Sequence, residues 1–446
     1  MQVNTGQLHI VNTRQARVIW SFERQSEDSL ESTRIVITGM GIVCPTGNNV
    51  DQAWQNTANG VNGIDFITRY DRNLTQNQLA GEVKNFDPNI IFGRKEARRI
   101  DRVAQFALEA SRQAMADSGL KVDKHNMYDI GCVVGSGVGG INSFVEAQQA
   151  IDSKGHRGIK PMAIPKILSD SCSGAVSLAY SLRGPNHCIV TACASGNNAI
   201  GEAMHIIRRG GAKAMLAGAA EAAIVPLCVA GFNNMTALSR NDDPETASRP
   251  FDRNRDGFVP GEGAGMLVLE DLRFALERGA TIYAELLGYG HTSDAFHITA
   301  PMETGEGAAR AIELALKDAD LRAEDIDYIN AHGTSTPLND TAETNAIKLA
   351  LGEAAYAIPV SSTKSMTGHL LGGGAAIEAV FSIMAIRDNY LPPTIHLHEP
   401  DPDCDLNYLP NLGCSRPVSH VMSNAFGFGG HNAVLVFGEY RENGNA

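Results

Sequence analysis

Three residues of the 446-residue chain pair reactive side chains with positions suited to chemistry: Cys193, His332 and His369. Cys193 lies in CIVTACASG (188–196), where an apolar run read as a strand gives way to a small-residue stretch that reads as a helix. A thiol at that junction feels the partial positive charge of the helix N-terminus, which favours the nucleophilic thiolate. The tight Ala-Cys-Ala-Ser-Gly turn would also aim backbone N–H groups at an oxygen developing charge beside the sulfur. The competing reading is an inert buried thiol, and the strand-to-helix position weighs against it. His332, in DYINAHGTSTPLND (327–340), follows an apolar strand and precedes three hydroxyls, Thr334, Ser335 and Thr336. His369, in VSSTKSMTGHLLGGG (360–374), stands just before a second small-residue helix, with Lys364 five residues earlier. A histidine beside glycine at the end of a strand suits a general base or a hydrogen-bond donor. A lone histidine is more often structural; two in matching settings, together with Cys193, make the stronger case.

The elements that must position these residues alternate. Strand-like apolar runs fall at 34–38, 130–134, 189–192, 214–217, 266–269, 326–330, 358–361 and 433–437, separated by helical patterns. This is the signature of an α/β protein with covered sheets. PGEGAGMLVLE (260–270) and GFGGHNAVLVFGE (427–439) look related, each a glycine-rich turn feeding a short apolar strand, so an internal duplication is expected. The stretches 195–207 and 370–383 are rich in Gly and Ala. Because glycine costs about 1 kcal/mol against alanine in a helix, such helices need close packing to persist, which places both between layers at the centre of the molecule.

Bulk properties exclude several classes. A net charge of −13 argues against a general nucleic-acid binder, since phosphate neutralisation needs a dominant basic face. The most apolar long window, 214–232, contains Glu221 and Pro226 and fails as a membrane span. The first 33 residues lack an apolar h-region and carry Glu23, Glu27, Asp28 and Glu31, against both a secretory and an organellar leader. The eight cysteines form no CxxC pair and no zinc-like spacing; no metal site is expected, and a reducing, cytoplasmic location fits. GSGVGG (135–140) satisfies GxGxxG, but no strand-ending acid follows near twenty residues on, only Asp152 in a polar stretch. A tight turn lining a pocket is the preferred reading over a dinucleotide site. RKEARRIDR (94–102) is the densest basic run; at helical spacing it could present Lys95, Arg98, Arg99 and Arg102 to one partner, against the plainer reading of a solvated helix face.

Taken together, ITGMGIVCPTGN (37–48), TACASG (191–196), ASRPFDRNRDGFVPGEGAGMLVLE (247–270), NAHGTSTPLND (330–340), SSTKSMTGHLLGGGAAIEA (361–379) and NAFGFGGHN (424–432) resemble the β-ketoacyl-[acyl carrier protein] synthases of type II fatty acid synthesis. The likeness runs from about residue 34 to 440, leaving the first 33 residues outside it as an extension expected to be poorly ordered. It implies a thiolase-like α/β fold of duplicated halves in five αβαβα layers, here 34–285 and 286–446, assembled as a homodimer.

The resemblance further implies an acyltransferase in which Cys193 accepts an acyl chain and His332 and His369 promote decarboxylation of a malonyl thioester. Lys364 would organise them, Glu343 and Glu378 would lie near that lysine, and the N–H groups of Cys193 and Phe426 would form the oxyanion hole. Thr299, Thr334 and Thr336 match a pantetheine tunnel, Phe426 a gate, and Val138, Cys228 and Phe232 an acyl pocket. The short branched Val138 should leave that pocket open to medium or long chains. No cofactor of its own is implied, the phosphopantetheine being carried by the acyl carrier protein. Lys95, Arg98, Arg99 and Arg157 match carrier-docking positions. Gly158 and Thr236 stand where relatives place a further lysine and arginine, shifting expected docking towards Lys160.

Thiolases and type III synthases fit worse, since the C-terminal GFGGHNAV offers no second cysteine and His369 stands where an asparagine would. A catalytic ketosynthase of a polyketide or specialised lipid pathway is the harder alternative. A non-catalytic chain-length partner is disfavoured by Cys193.

Overall fold

The computed structural model describes residues 5–8, 20–23 and 33–442. Of the N-terminal extension it describes two short strands, Thr5–Leu8 and Trp20–Glu23, paired antiparallel. The expectation of poor order therefore falls mostly outside the described residues.

From Arg34 onward the chain forms one compact unit built on a duplicated sheet. Its first half supplies β1 (Ile35–Val43), β2 (Ile130–Gly135), β3 (Asn186–His187), β4 (Ala214–Glu221) and β5 (Gly263–Asp271). The second supplies β6 (Ala284–Ser293), β7 (Tyr328–Asn330), β8 (Val360–Ser361), β9 (His420–Gly427) and β10 (His431–Gly438). The spatial order is β3-β2-β4-β5-β1 in one half and β8-β7-β9-β10-β6 in the other, the same topology twice. The sense of every pairing is repeated too: β2 is parallel to β3 and β4, as β7 is to β8 and β9, and the remaining neighbours are antiparallel. A short antiparallel contact of residues 284–286 with 35–37 joins the halves. The two glycine-rich segments likened to each other in the sequence are β5 and β10, which occupy equivalent places.

Helices cover both outer faces. In the first half α1 (Arg102–Ser118) and α2 (Ser171–Tyr180) pack on the sheet; in the second, α4 (Glu306–Ala319) and α5 (Pro337–Leu351) do so. Between the sheets lie α3 (Ser195–Arg208) and α6 (Gly374–Asp388), the small-residue helices. Their composition is used for proximity: a Cβ on Gly196 of α3 would come within 2.7 Å of the Ala376 nitrogen of α6. Thirteen consecutive residues of α6, Gly374 to Ile386, are buried, so that helix shows no polar face.

Three expectations need correcting. The run 189–192 is not a strand; pairing stops at His187, and Ala192 turns into the left-handed region with φ 49°. The boundary expected after residue 285 would cut β6, whereas the second repeat begins with that strand at Ala284. Strands β6 and β9 had no counterpart among the apolar runs, since β6 carries Gly288 and Gly290 and β9 carries Ser423 and Asn424. Side chains at those glycines would collide with the backbone of Ala315 and Ala311 in α4. Gly39 and Gly41 of β1 are hemmed in the same way by Ala114 and Ala110 of α1, so the duplication extends to the packing.

Candidate active site

Cys193 sits in the 3₁₀ turn Ala192–Ala194 that feeds directly into α3, and it is 8% exposed. The sharp bend at Ala192, rather than a long strand, presents the sulfur to a cavity of about 750 Å³. His332 follows β7 and His369 precedes α6, so the duplicated halves deliver all three side chains to one place. His369 Nε2 lies 3.1 Å from Cys193 Sγ, and the His332 and His369 rings meet edge-on with centroids 5.3 Å apart. Phe258 packs edge-on against His369 and Phe426 against His332, enclosing the imidazoles in apolar surface.

Burial dominates the electrostatics. It pushes the Cys193 thiol up to about 12, against the pull of the Lys364 ammonium and of the Phe428 and Cys193 amides. It holds both histidines well below the usual imidazole range, with Lys364 adding to the effect and His369 adding to it at His332. Both rings are therefore neutral at pH 7 and can each donate one N–H. Lys364, itself buried, pairs with Glu378 at 2.5 Å. Burial pushes that carboxyl up to about 7 against the attraction of the lysine. Glu343 accepts the N–H groups of His332 at 2.8 Å and Gly333 at 2.7 Å, and so fixes the backbone that carries the histidine.

Val138, Phe232, Thr299, Thr334, Thr336 and Phe426 all line the cavity, as expected. Cys228 does not line it; on the helix Pro226–Asn234 it packs into the apolar cluster around Cys193. The oxyanion expectation needs a correction. The second amide that faces the sulfur belongs to Phe428, two residues past Phe426, because β9 ends at Gly427 and the chain turns there towards Cys193. Gly427 itself backs onto the nucleophile, since a Cβ there would stand 3.0 Å from the Cys193 nitrogen and 2.8 Å from the Thr191 oxygen. Phe428 and Gly427 were missed by sequence reasoning, although they lie in the glycine-rich turn it had singled out.

Among known families, the β-ketoacyl synthase N-terminal domain matches residues 32–275 and its C-terminal domain residues 283–398. The chain belongs to the β-ketoacyl synthase family. It is a condensing enzyme, an acyltransferase, with the thiolase-like fold. It is 51% identical to the 3-oxoacyl-[acyl-carrier-protein] synthase 2 of Synechocystis over 93% of this chain and 100% of the relative. It is 50% identical to the synthase of the same name from Staphylococcus aureus, over 92% of this chain and 99% of that one. Among solved structures it resembles a type II polyketide ketosynthase in complex with its acyl-carrier protein, with TM-score 0.85 and 38% identity, covering 92% of this chain and 100% of that chain. A β-ketoacyl synthase from Burkholderia phymatum matches with TM-score 0.84 and 37% identity, over 92% of this chain and 100% of that one.

On the surface of the synthase, Lys95, Arg98, Arg99, Arg157 and Lys160 are exposed. Arg102 is not available with them, because its guanidinium is held by both oxygens of buried Glu262. The expected continuous helix is also broken: a short helix covers Arg94–Ala97, and α1 begins only at Arg102. Among the described residues no helix is long and apolar enough to cross a membrane, and no cluster suits a metal ion.

Proposed function

We propose that the chain extends acyl chains bound to an acyl carrier protein by two carbons, in the elongation steps of fatty acid synthesis. The observation that carries this is the meeting of Cys193 Sγ, His369 Nε2 and the His332 ring in one apolar cavity. Cys193 attacks the acyl thioester; the carbonyl oxygen gathers charge against the N–H groups of Cys193 and Phe428; the carbon–sulfur bond to the carrier breaks and its thiolate leaves with a proton. Malonyl carrier then enters past Thr299, Thr334 and Thr336. Neutral His332 and His369 donate N–H to its thioester oxygen, so that electrons released as carbon dioxide departs are held as an enolate. The enolate carbon attacks the acyl carbonyl, the bond to Cys193 breaks, 3-oxoacyl carrier leaves, and the released Cys193 thiolate takes up a proton from solvent to restore the thiol. Lys364, paired to Glu378, and Glu343, holding the His332 backbone, are positioning residues. No step calls for a cofactor.

A place in fatty acid elongation is supported by 50–51% identity to 3-oxoacyl synthases, against 38% to the polyketide ketosynthase. Carrier docking is assigned to Lys95, Arg98, Arg99, Arg157 and Lys160. A homodimer is supported by the edge strand β3, whose two residues are exposed beside Leu178, 84% exposed, and Val190, 50% exposed.

Incubation with acyl carriers of graded length and malonyl carrier, followed by mass analysis, is expected to yield 3-oxoacyl carriers two carbons longer. Released polyketide chains of several condensations would favour a specialised pathway. Cys193→Ala should form no acyl-enzyme. His332→Ala and His369→Ala should acylate but stall before condensation, and unchanged turnover in either would refute the assignment.

A further inference from the structure

Glu221 ends β4, is fully buried, and has no part in the steps above. Each recorded partner of its carboxylate is a donor. Gly137 N–H at 2.7 Å and Gly372 N–H at 3.1 Å reach Oε2; Val138 N–H at 3.3 Å and the Ser136 hydroxyl at 3.2 Å reach Oε1. The Ser136 oxygen already accepts from the Gly139 N–H at 3.0 Å, which leaves its hydrogen to Glu221. Backbone amides cannot reverse their roles, so only an acceptor on both branches satisfies this site.

Two segments far apart in sequence meet on that carboxylate. A Cβ on Gly137 would lie 2.8 Å from Glu221 Oε2 and 3.3 Å from the Gly372 nitrogen. A Cβ on Gly372 would lie 3.1 Å from the same oxygen and overlap the Gly137 nitrogen. One segment carries Val138 and the other runs from His369 to Leu371; all three line the cavity, and Val138 and Leu371 pack in the apolar cluster of Cys193. The charge of Glu221 also disfavours the Cys193 thiolate, so electrostatics gives the reaction no use for it. Geometry is what it supplies.

We propose that Glu221 is a positioning residue for acyl chain-length discrimination: its carboxylate locks the Val138 wall against the His369–Leu371 wall and so fixes which chains fit beside Cys193. The proposal rests on the acyl-transfer reading of the cavity. In Glu221→Gln one branch becomes an NH₂ facing backbone N–H groups, and the two walls part; Glu221→Asp keeps the acceptors with a shorter reach.

The test measures, by intact mass, the rate at which Cys193 of the full-length protein is acylated by saturated acyl carriers of graded length. Wild type should show a distinct preference; no acylation by any carrier would sink the functional reading itself. The ratio of best to worst accepted length should fall at least fivefold in E221Q, with E221D in between. If E221Q slows all lengths by one common factor, or changes nothing, Glu221 supports the fold only and the proposal is overturned. Should E221Q fail to fold, Ser136→Ala decides, since it removes one donor and leaves the carboxylate. At least a twofold flattening of the same ratio is expected there, and an unchanged ratio rejects the proposal.

Discussion

At Cys193 two influences oppose each other. The start of α3 favours the thiolate, while enclosure by apolar surface favours the thiol, pushed up to about 12. With burial dominant the free enzyme holds a protonated sulfur beside neutral His369 at 3.1 Å. A group whose pKa is raised gains thiolate only as pH rises, so alkylation of Cys193 by iodoacetamide should climb about tenfold per pH unit between pH 7 and 9. A plateau beginning near pH 7 would show that the helix terminus prevails. The reactive atoms were legible in the sequence because each stands at a junction of elements, His332 and His369 directly beside glycine and Cys193 in a tight turn of small residues. The partner of each was less so: Glu343 lies eleven residues from His332, yet its service to that backbone depends on how α5 packs behind β7.

At the level of elements, the site is made by four chain reversals: the bend at Ala192, the turn after β7 that carries His332, the 3₁₀ turn Leu371–Gly373 before α6, and the turn between β9 and β10. The last of these presses Gly427 against the amide of Cys193. Gly427→Ala should displace that amide from the oxyanion position and lower kcat about a hundredfold with a normal melting transition. Steady-state kinetics beside calorimetry checks this, and a loss confined to KM would contradict it. The glycine-rich turn was visible in the sequence as a pattern. Which of its amides faces the sulfur was not, because a shift of two residues along an alternating Phe-Gly-Phe-Gly string leaves the pattern almost unchanged.

For the whole molecule, the surfaces it offers govern what it meets. Lys95, Arg98, Arg99, Arg157 and Lys160 are exposed on an acidic protein of net charge −13, which suits a localised meeting with an acidic carrier. Arg98→Glu with Arg99→Glu should weaken carrier binding at least tenfold at low salt, with the difference shrinking as ionic strength rises. Equal affinity of both proteins in a titration would make that stretch an ordinary solvated face. Leu178→Glu with Val190→Glu should shift the protein from dimer to monomer in sedimentation, whereas an unchanged mass would place any dimer elsewhere. The sequence by itself determined the α/β class, the duplication and the identities of Cys193, His332 and His369, because these depend on local pattern and on residue type beside a turn. Tertiary structure decided the strands β6 and β9, the amide of Phe428, the withdrawal of Arg102 into a pair with Glu262, and the clamp at Glu221. Each of these is a meeting of segments distant along the chain, set by how closely two backbones can approach, and no spacing within one segment encodes it.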